Sequence, residues 1–184
     1  LETIVGFPLH QGIMAVGKIP KPVSLEDLLS KETRPHLFVA VDGLTNSENL
    51  GILVRNCAAF GGQAMFVGET SNSPWLRRAV RNSMGAVFKL PVVQCERLTS
   101  TIQQLQKNNI RIFGAHPHAV QTLSNTNFKQ DCCLVFGSEG SGLSEGVLES
   151  CDGTVGIPMR HGVDSLNVAS ASAVFFFEVC RQRG

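Results

Sequence analysis

From Leu37 onward, short apolar runs alternate with stretches whose apolar residues recur at helical spacing. The run "LFVAV", 37–41, has no polar position and reads as a buried strand. In "NLGILVRNCAAFG", Leu50, Leu53, Val54 and Cys57 follow the i, i+3, i+4, i+7 pattern of a helix. "QAMFVG" predicts a strand, and "SPWLRRAVRNSM" a helix with Ser73 as cap and Pro74 in its first turn. "AVFKLPVV" then reads as a strand and "LTSTIQQLQKNN" as a helix. "IRIFGA", "CCLVFG" and "GTVGIPM" are further strands, with the short helix "SEGVLESC" before the last of them. "DSLNVASASAVFFFEVCRQR" closes the chain as a long helix that Asp164 or Ser165 can cap, leaving Asn167 in its first turn. Its stripe is expected to hold Val168, Ala171, Val174, Phe175 and Val179. Upstream, "SLEDLLSK" is a short helix with Ser24 as N-cap and Asp27 in a capping-box variant. Strands alternating with helices predict an α/β domain, a mainly parallel sheet with helices on both faces.

"IPKPVS", 19–24, reads as a linker, and "HQGIMAV" before it as a strand on something else. The main domain is expected over residues 23–184. Composition changes this little. The chain has 184 residues, 43% hydrophobic and 17% charged, with a net charge of +1. That is enough apolar surface for a core, and any polyanion binding must come from local patches. The longest near-apolar run, "VASASAVFFFEVC", is too short for a membrane span and carries Glu178. The six cysteines form no C-x-x-C and no zinc-like spacing with histidine. They read as structural thiols of a reducing, cytoplasmic compartment, with no metal expected.

In parallel α/β sheets ligands bind beyond the carboxyl ends of strands. The loops there are "DGLTNSENLG", "GAHP", "GSEGSG" and "PMRHGVDS". In "VFGSEGSGLS" the glycines run G-x-x-G-x-G, which is neither a dinucleotide fingerprint nor a nucleophile elbow. Leu143 stands where a P-loop needs lysine. By itself the loop is a tight turn or an uncommon ligand cradle. Arg55 falls off the apolar stripe of its helix, and Asn46, Ser47 and Asn49 compete to start that helix.

Three segments together resemble the SpoU family of RNA ribose 2′-O-methyltransferases. "NLGILVRNCAAFG" is similar to its first motif, "LVFGSEGSGLS" to its second and "IPMRHGVDSLNVASASAV" to its third, in order, from about Leu37 to Arg183. The resemblance implies a deep trefoil knot, in which the C-terminal segment of the chain threads through a loop, a rare exception to ordinary topology. It implies S-adenosylmethionine (AdoMet) as cofactor, RNA as substrate (23S rRNA favoured over tRNA) and a homodimer. It assigns AdoMet contacts to Ala115, Val135, Gly137, Gly140, Ile157, Met159, Ser165 and Leu166. It makes Arg55 the main catalytic candidate, with Asn49, Glu139, Ser165 and Asn167 around it. A guanidinium is a poor base, which favours phosphate anchoring by Arg55 over proton abstraction. Two departures stand out: no proline precedes Asn49, and His161 and Asp164 add ionisable groups to the third motif.

Arg77 and Arg81 share a helix face, and with Arg78 and Arg160 they are candidate RNA contacts. The N-terminal "GFPLHQGIMAV" resembles the end of the small RNA-binding domain found in rRNA-directed members, which implies that residues 1–22 are the tail of that upstream domain plus the linker. The competing readings are a binding protein on the same fold without transfer activity, and a flavodoxin-like nucleotide-binding module.

Overall fold

A computed structural model of the chain describes residues 16–184. The expected strand "HQGIMAV" and the expected RNA-binding-domain remnant lie almost wholly outside the described residues. Residues 16–24 carry no regular structure. The first helix, α1 (Leu25–Lys31), starts where Ser24 accepts the Asp27 N–H at 3.1 Å and donates its hydroxyl to the Asp27 carboxylate.

Seven strands follow: β1 (Leu37–Val41), β2 (Ala64–Val67), β3 (Val92–Gln94), β4 (Arg111–Ala115), β5 (Gln121–Thr122), β6 (Cys132–Phe136) and β7 (Gly153–Gly156). They form one sheet in the order β3-β2-β1-β6-β4-β7-β5, and every pairing is parallel. The helices are α2 (Ser47–Ala59), α3 (Arg77–Asn82), α4 (Leu98–Lys107), α5 (Glu145–Ser150) and α6 (Val168–Arg183). A strand's side chains alternate between faces, so β1 feeds two cores. Leu37, Val39 and Val41 pack with Leu50, Leu53 and Val54 of α2 and Phe175, Phe176 and Val179 of α6. Phe38 and Ala40 pack on the opposite face with Leu28 of α1, Leu98 and Ile102 of α4 and Val147 of α5. Burial of β1 and β6 on both faces is why each reads as an unbroken apolar run.

Several expected boundaries move, each for a local reason. Ser73 does not cap α3; its hydroxyl accepts the Trp75 N–H in a turn, and the helix begins at Arg77. "AVFKLPVV" is not one strand. Gly85, at φ 82°, opens a 3-10 turn at Ala86–Phe88, and only Val92–Gln94 joins the sheet. "GTVGIPM" is strand only to Gly156. The final helix starts at Val168, because Asn167 caps it in place of Asp164 or Ser165. Its buried face is Val168, Ala169, Ser172, Phe175, Phe176 and Val179, whereas Val174 is exposed. The edge strand β5 escapes the periodic reading because it is two residues long.

The far end of α6 is held by Arg183. Its guanidinium donates to the carbonyls of Pro35, His36, Phe128 and Gln130 at 2.7–2.9 Å. Gln182 accepts the Phe128 N–H at 2.9 Å and donates to the Thr126 carbonyl. The last helix is thus tied to the segment that leads into the central strand β6. All six cysteines are free. Burial pushes Cys132 and Cys151 up to about 11 and Cys57, Cys95 and Cys133 upward as well, the mark of inert packing thiols.

Helices α2 and α3 cross at Gly51. A β-carbon there would overlap the Ala79 carbonyl and stand 2.9 Å from the Asn82 side chain. Gly51→Ala is expected to lower stability by about 1–3 kcal/mol, the usual cost of overpacking a rigid contact. Urea denaturation of the two proteins would measure it; equal midpoints would mean that α3 moves freely.

Candidate functional site

The loops beyond the carboxyl ends of β4, β6 and β7 converge on one cavity of about 280 Å³. Ala115, His116 and Pro117 form one wall, Gly137 to Gly142 a second, and Ile157, Met159, Ser165 and Leu166 a third. Phe136, Val155, Val168 and Phe175 close the floor. Phe136 meets Phe175 and Phe176 edge-on at 5.5 and 5.9 Å, so the floor is continuous with the core.

The glycine loop is a closed turn. Ser138 and Gly142 exchange two backbone hydrogen bonds of 3.0 Å, and the Ser138 hydroxyl accepts the Ser141 N–H at 3.1 Å. Gly137 lies under this turn, where a β-carbon would overlap the Gly142 carbonyl and the Leu143 nitrogen. That close approach is what the glycine permits.

One side chain joins the three motif segments. Asn167 Oδ1 accepts the N–H groups of Ala169 and Ser170, at 2.9 and 3.3 Å, and so caps α6. Its Nδ2 donates to Asn49 Oδ1 at 3.2 Å and to Glu139 Oε1 at 2.6 Å. Both donors and the acceptor of the amide are engaged, which determines its orientation. Asn49 is buried in α2, behind the N-cap Asn46, whose side chain accepts from Glu48 and Asn49. Asn56, two turns along the same face, donates to the Ala169 carbonyl and the Ser172 hydroxyl at 2.9 and 3.0 Å.

Seven of the eight residues expected to contact a cofactor line this cavity: Ala115, Gly137, Gly140, Ile157, Met159, Ser165 and Leu166. Val135 does not. Strand alternation turns it to the opposite core, beside Leu143 and Val147, and its neighbour Phe136 takes the place. Of the catalytic candidates, Asn49, Glu139 and Asn167 are hydrogen-bonded together and Ser165 is on the cavity wall. Arg55 stands apart, exposed on the solvent face of α2, with no hydrogen bond or ion pair among the described residues. Arg160, His161 and Asp164 occupy the exposed 157–167 loop outside the cavity wall.

Three contributors, from two strand-end loops, escaped the residue-level reading. His116 and Pro117 line the cavity from the "GAHP" loop, and the His116 Nδ1 accepts the His118 N–H at 3.2 Å. Asp42, buried at the end of β1, accepts the Ser144 N–H at 2.7 Å and so anchors the exit of the glycine loop. Its Oδ1 also accepts the Thr70 hydroxyl at 3.4 Å. The signal for all three was their position just past a strand end. Among the described residues no cluster of histidine, cysteine, aspartate or glutamate could hold a metal ion, and no helix is long and apolar enough to cross a membrane.

The profile of the SpoU rRNA methylase family matches residues 36–177, the sheet and all three loops. The chain belongs to the SpoU family. An uncharacterised tRNA/rRNA methyltransferase of Mycobacterium avium (strain 104) is 35% identical to this SpoU chain over 187 residues, spanning 100% of the chain and 60% of the relative. The 23S rRNA (guanosine-2′-O-)-methyltransferase RlmB of Ralstonia nicotianae is 33% identical, spanning 100% and 74%. The solved SpoU methyltransferase AviRb from Streptomyces viridochromogenes, in complex with AdoMet, superposes with a TM-score of 0.82 at 27% identity, covering 89% of this chain and 66% of that one. The chain spans about 60% of the length of the first curated relatives it matches.

The Asn167 amide can be tested without losing the helix cap. Asn167→Asp keeps the acceptor that caps α6 but sets a carboxylate against Glu139. S-adenosylhomocysteine affinity is expected to fall about tenfold, equivalent to about 1.4 kcal/mol, while the melting temperature shifts little. Calorimetric titration beside thermal denaturation measures both. Unchanged affinity would mean that the Glu139 contact does not shape the cavity.

Proposed function

We propose that this chain is the catalytic part of an AdoMet-dependent RNA ribose 2′-O-methyltransferase, with rRNA favoured over tRNA as substrate. The observation that carries the reading is the cavity itself, walled by the second and third family motifs and joined to the first through Asn167. Its volume is near the lower end of small-molecule clefts, about 300–1,000 Å³. The lining fits a nucleoside group: an apolar floor, a glycine turn that lets a ligand approach backbone, and few charges. Glu139 is the one carboxylate among the described lining residues and suits a cationic sulfonium nearby. Gly137, Ile157 and Leu166 would hold the cofactor through main-chain groups, with Ala115, Gly140, Met159 and Ser165 as walls. AdoMet supplies an activated methyl group when bound.

The acceptor, a ribose 2′-hydroxyl, is a weak nucleophile, so positioning dominates the chemistry required of the protein; it is worth about 7–11 kcal/mol in favourable cases. Arg55 would hold the substrate phosphate beside the hydroxyl. Its exposure and freedom from other partners leave it available for that. Asn49 and Asn167 keep the helix bearing Arg55 in register with the cavity. Ser165 would donate or accept at the ribose. Arg77, Arg78, Arg81 and Arg160 would neutralise RNA phosphates.

The same reading includes a homodimer and a trefoil knot. Phe177, 59% exposed, and Val174, 39% exposed, form an apolar face on α6 that a second subunit would cover. In a knotted chain the Arg183 and Gln182 bonds to residues 126–130 would hold α6 in place.

Arg55→Ala is expected to reduce methyl transfer from labelled AdoMet to ribosomal RNA at least a hundredfold and to leave S-adenosylhomocysteine affinity within twofold; electrostatic contacts of this kind contribute about 10²–10³ in rate. Loss of both together would make Arg55 a structural residue. Label on bases instead of ribose after nuclease digestion would overturn the 2′-hydroxyl assignment.

A further inference from the structure

Outside the cavity, residues 75–89 form a surface with two chemistries at once. Met84 is 74% exposed, Phe88 63% and Leu76 45%. Trp75 is half-buried against the core, and its ring meets Phe88 at 6.1 Å with a 43° tilt. So Phe88 is an exposed ring propped on a fixed one. Water-facing apolar groups this large on one short segment mark an interaction site. The rim is cationic. Arg77, Arg78, Arg81 and Lys89 lie in the same segment, which contains no Asp or Glu. Arg78 meets a carboxylate from outside it, Glu48, at 3.9 Å with both side chains mostly exposed. Such a pair is worth little and a phosphate can replace it.

We propose that this surface is a docking platform for unpaired RNA, with a base stacked on Phe88 and its flanking phosphates on Arg78, Arg81 and Lys89. The inference rests on the RNA reading above and deepens it. Every base has a face that stacks on an aromatic ring, and cations around the ring track the backbone. A second copy of the chain is the poorer partner. A two-fold contact centred here would set this cationic rim against itself. Position supports RNA as well. Helix α3 lies against α2 at Gly51, and Arg55 is one turn further along α2. A strand lying over Phe88 and α3 therefore continues toward Arg55, which explains why that arginine faces solvent and not the cavity.

The test is fluorescence anisotropy of the full chain with a labelled oligouridylate of about 12 nucleotides. Phe88→Ala is expected to weaken binding about tenfold with an unchanged salt dependence, and Phe88→Trp to retain it. Arg81→Gln is expected to lower the slope of log affinity against log salt by about one. Binding by Phe88→Ala equal to the parent overturns the platform. So does a sedimentation result in which Phe88→Ala turns a dimer into a monomer while RNA affinity holds, because the patch is then a subunit contact. A parent chain that binds S-adenosylhomocysteine but not the oligonucleotide also overturns it and leaves the methyltransferase reading standing.

Discussion

The Asn167 amide is the contact on which the site depends. Its oxygen ends one helix and its nitrogen holds two other segments, Asn49 of α2 and Glu139 of the glycine loop. A single short side chain with four bonds has almost no freedom left. Three segments from distant parts of the chain are thereby brought to one geometry. Asp42 does the same work from the other side, fixing Ser144 where the glycine loop leaves.

This arrangement needs a rigid base, and the sheet provides it. A strand buried on both faces cannot shift by one residue without exchanging its two cores. Leu37–Val41 and Cys132–Phe136 are such strands, paired in register at the centre. The glycine loop follows directly from the second of them. The loop's position is therefore set by packing on both faces, and its own backbone has only to turn.

The cavity and the basic aromatic surface are separate in space. The cavity has an apolar floor and a glycine-rich wall. Arg55 and the basic aromatic surface lie outside it, on α2 and the segment packed on α2. A small cofactor suits a slot, whereas a polyanion needs an open face with cations that remain hydrated until contact.

The sequence alone determined the element order, the α/β class and the three motif segments. Period 2 and period 3.6 are local, and in a doubly covered sheet the apolar runs are unambiguous. It also located the loops that carry the site, since strand ends are where ligands bind. Its errors were local competitions. Asn167 took a cap that Asp164 or Ser165 could have taken, Gly85 converted an apolar run into a 3-10 turn, and alternation sent Val135 to the wrong face. Only the tertiary structure decided the strand order, the bonds among Asn49, Glu139 and Asn167, the anchoring role of Asp42, and the exposure of Arg55, Met84 and Phe88. Those depend on which distant segments meet, and no periodicity along a chain encodes the path by which a parallel sheet is crossed.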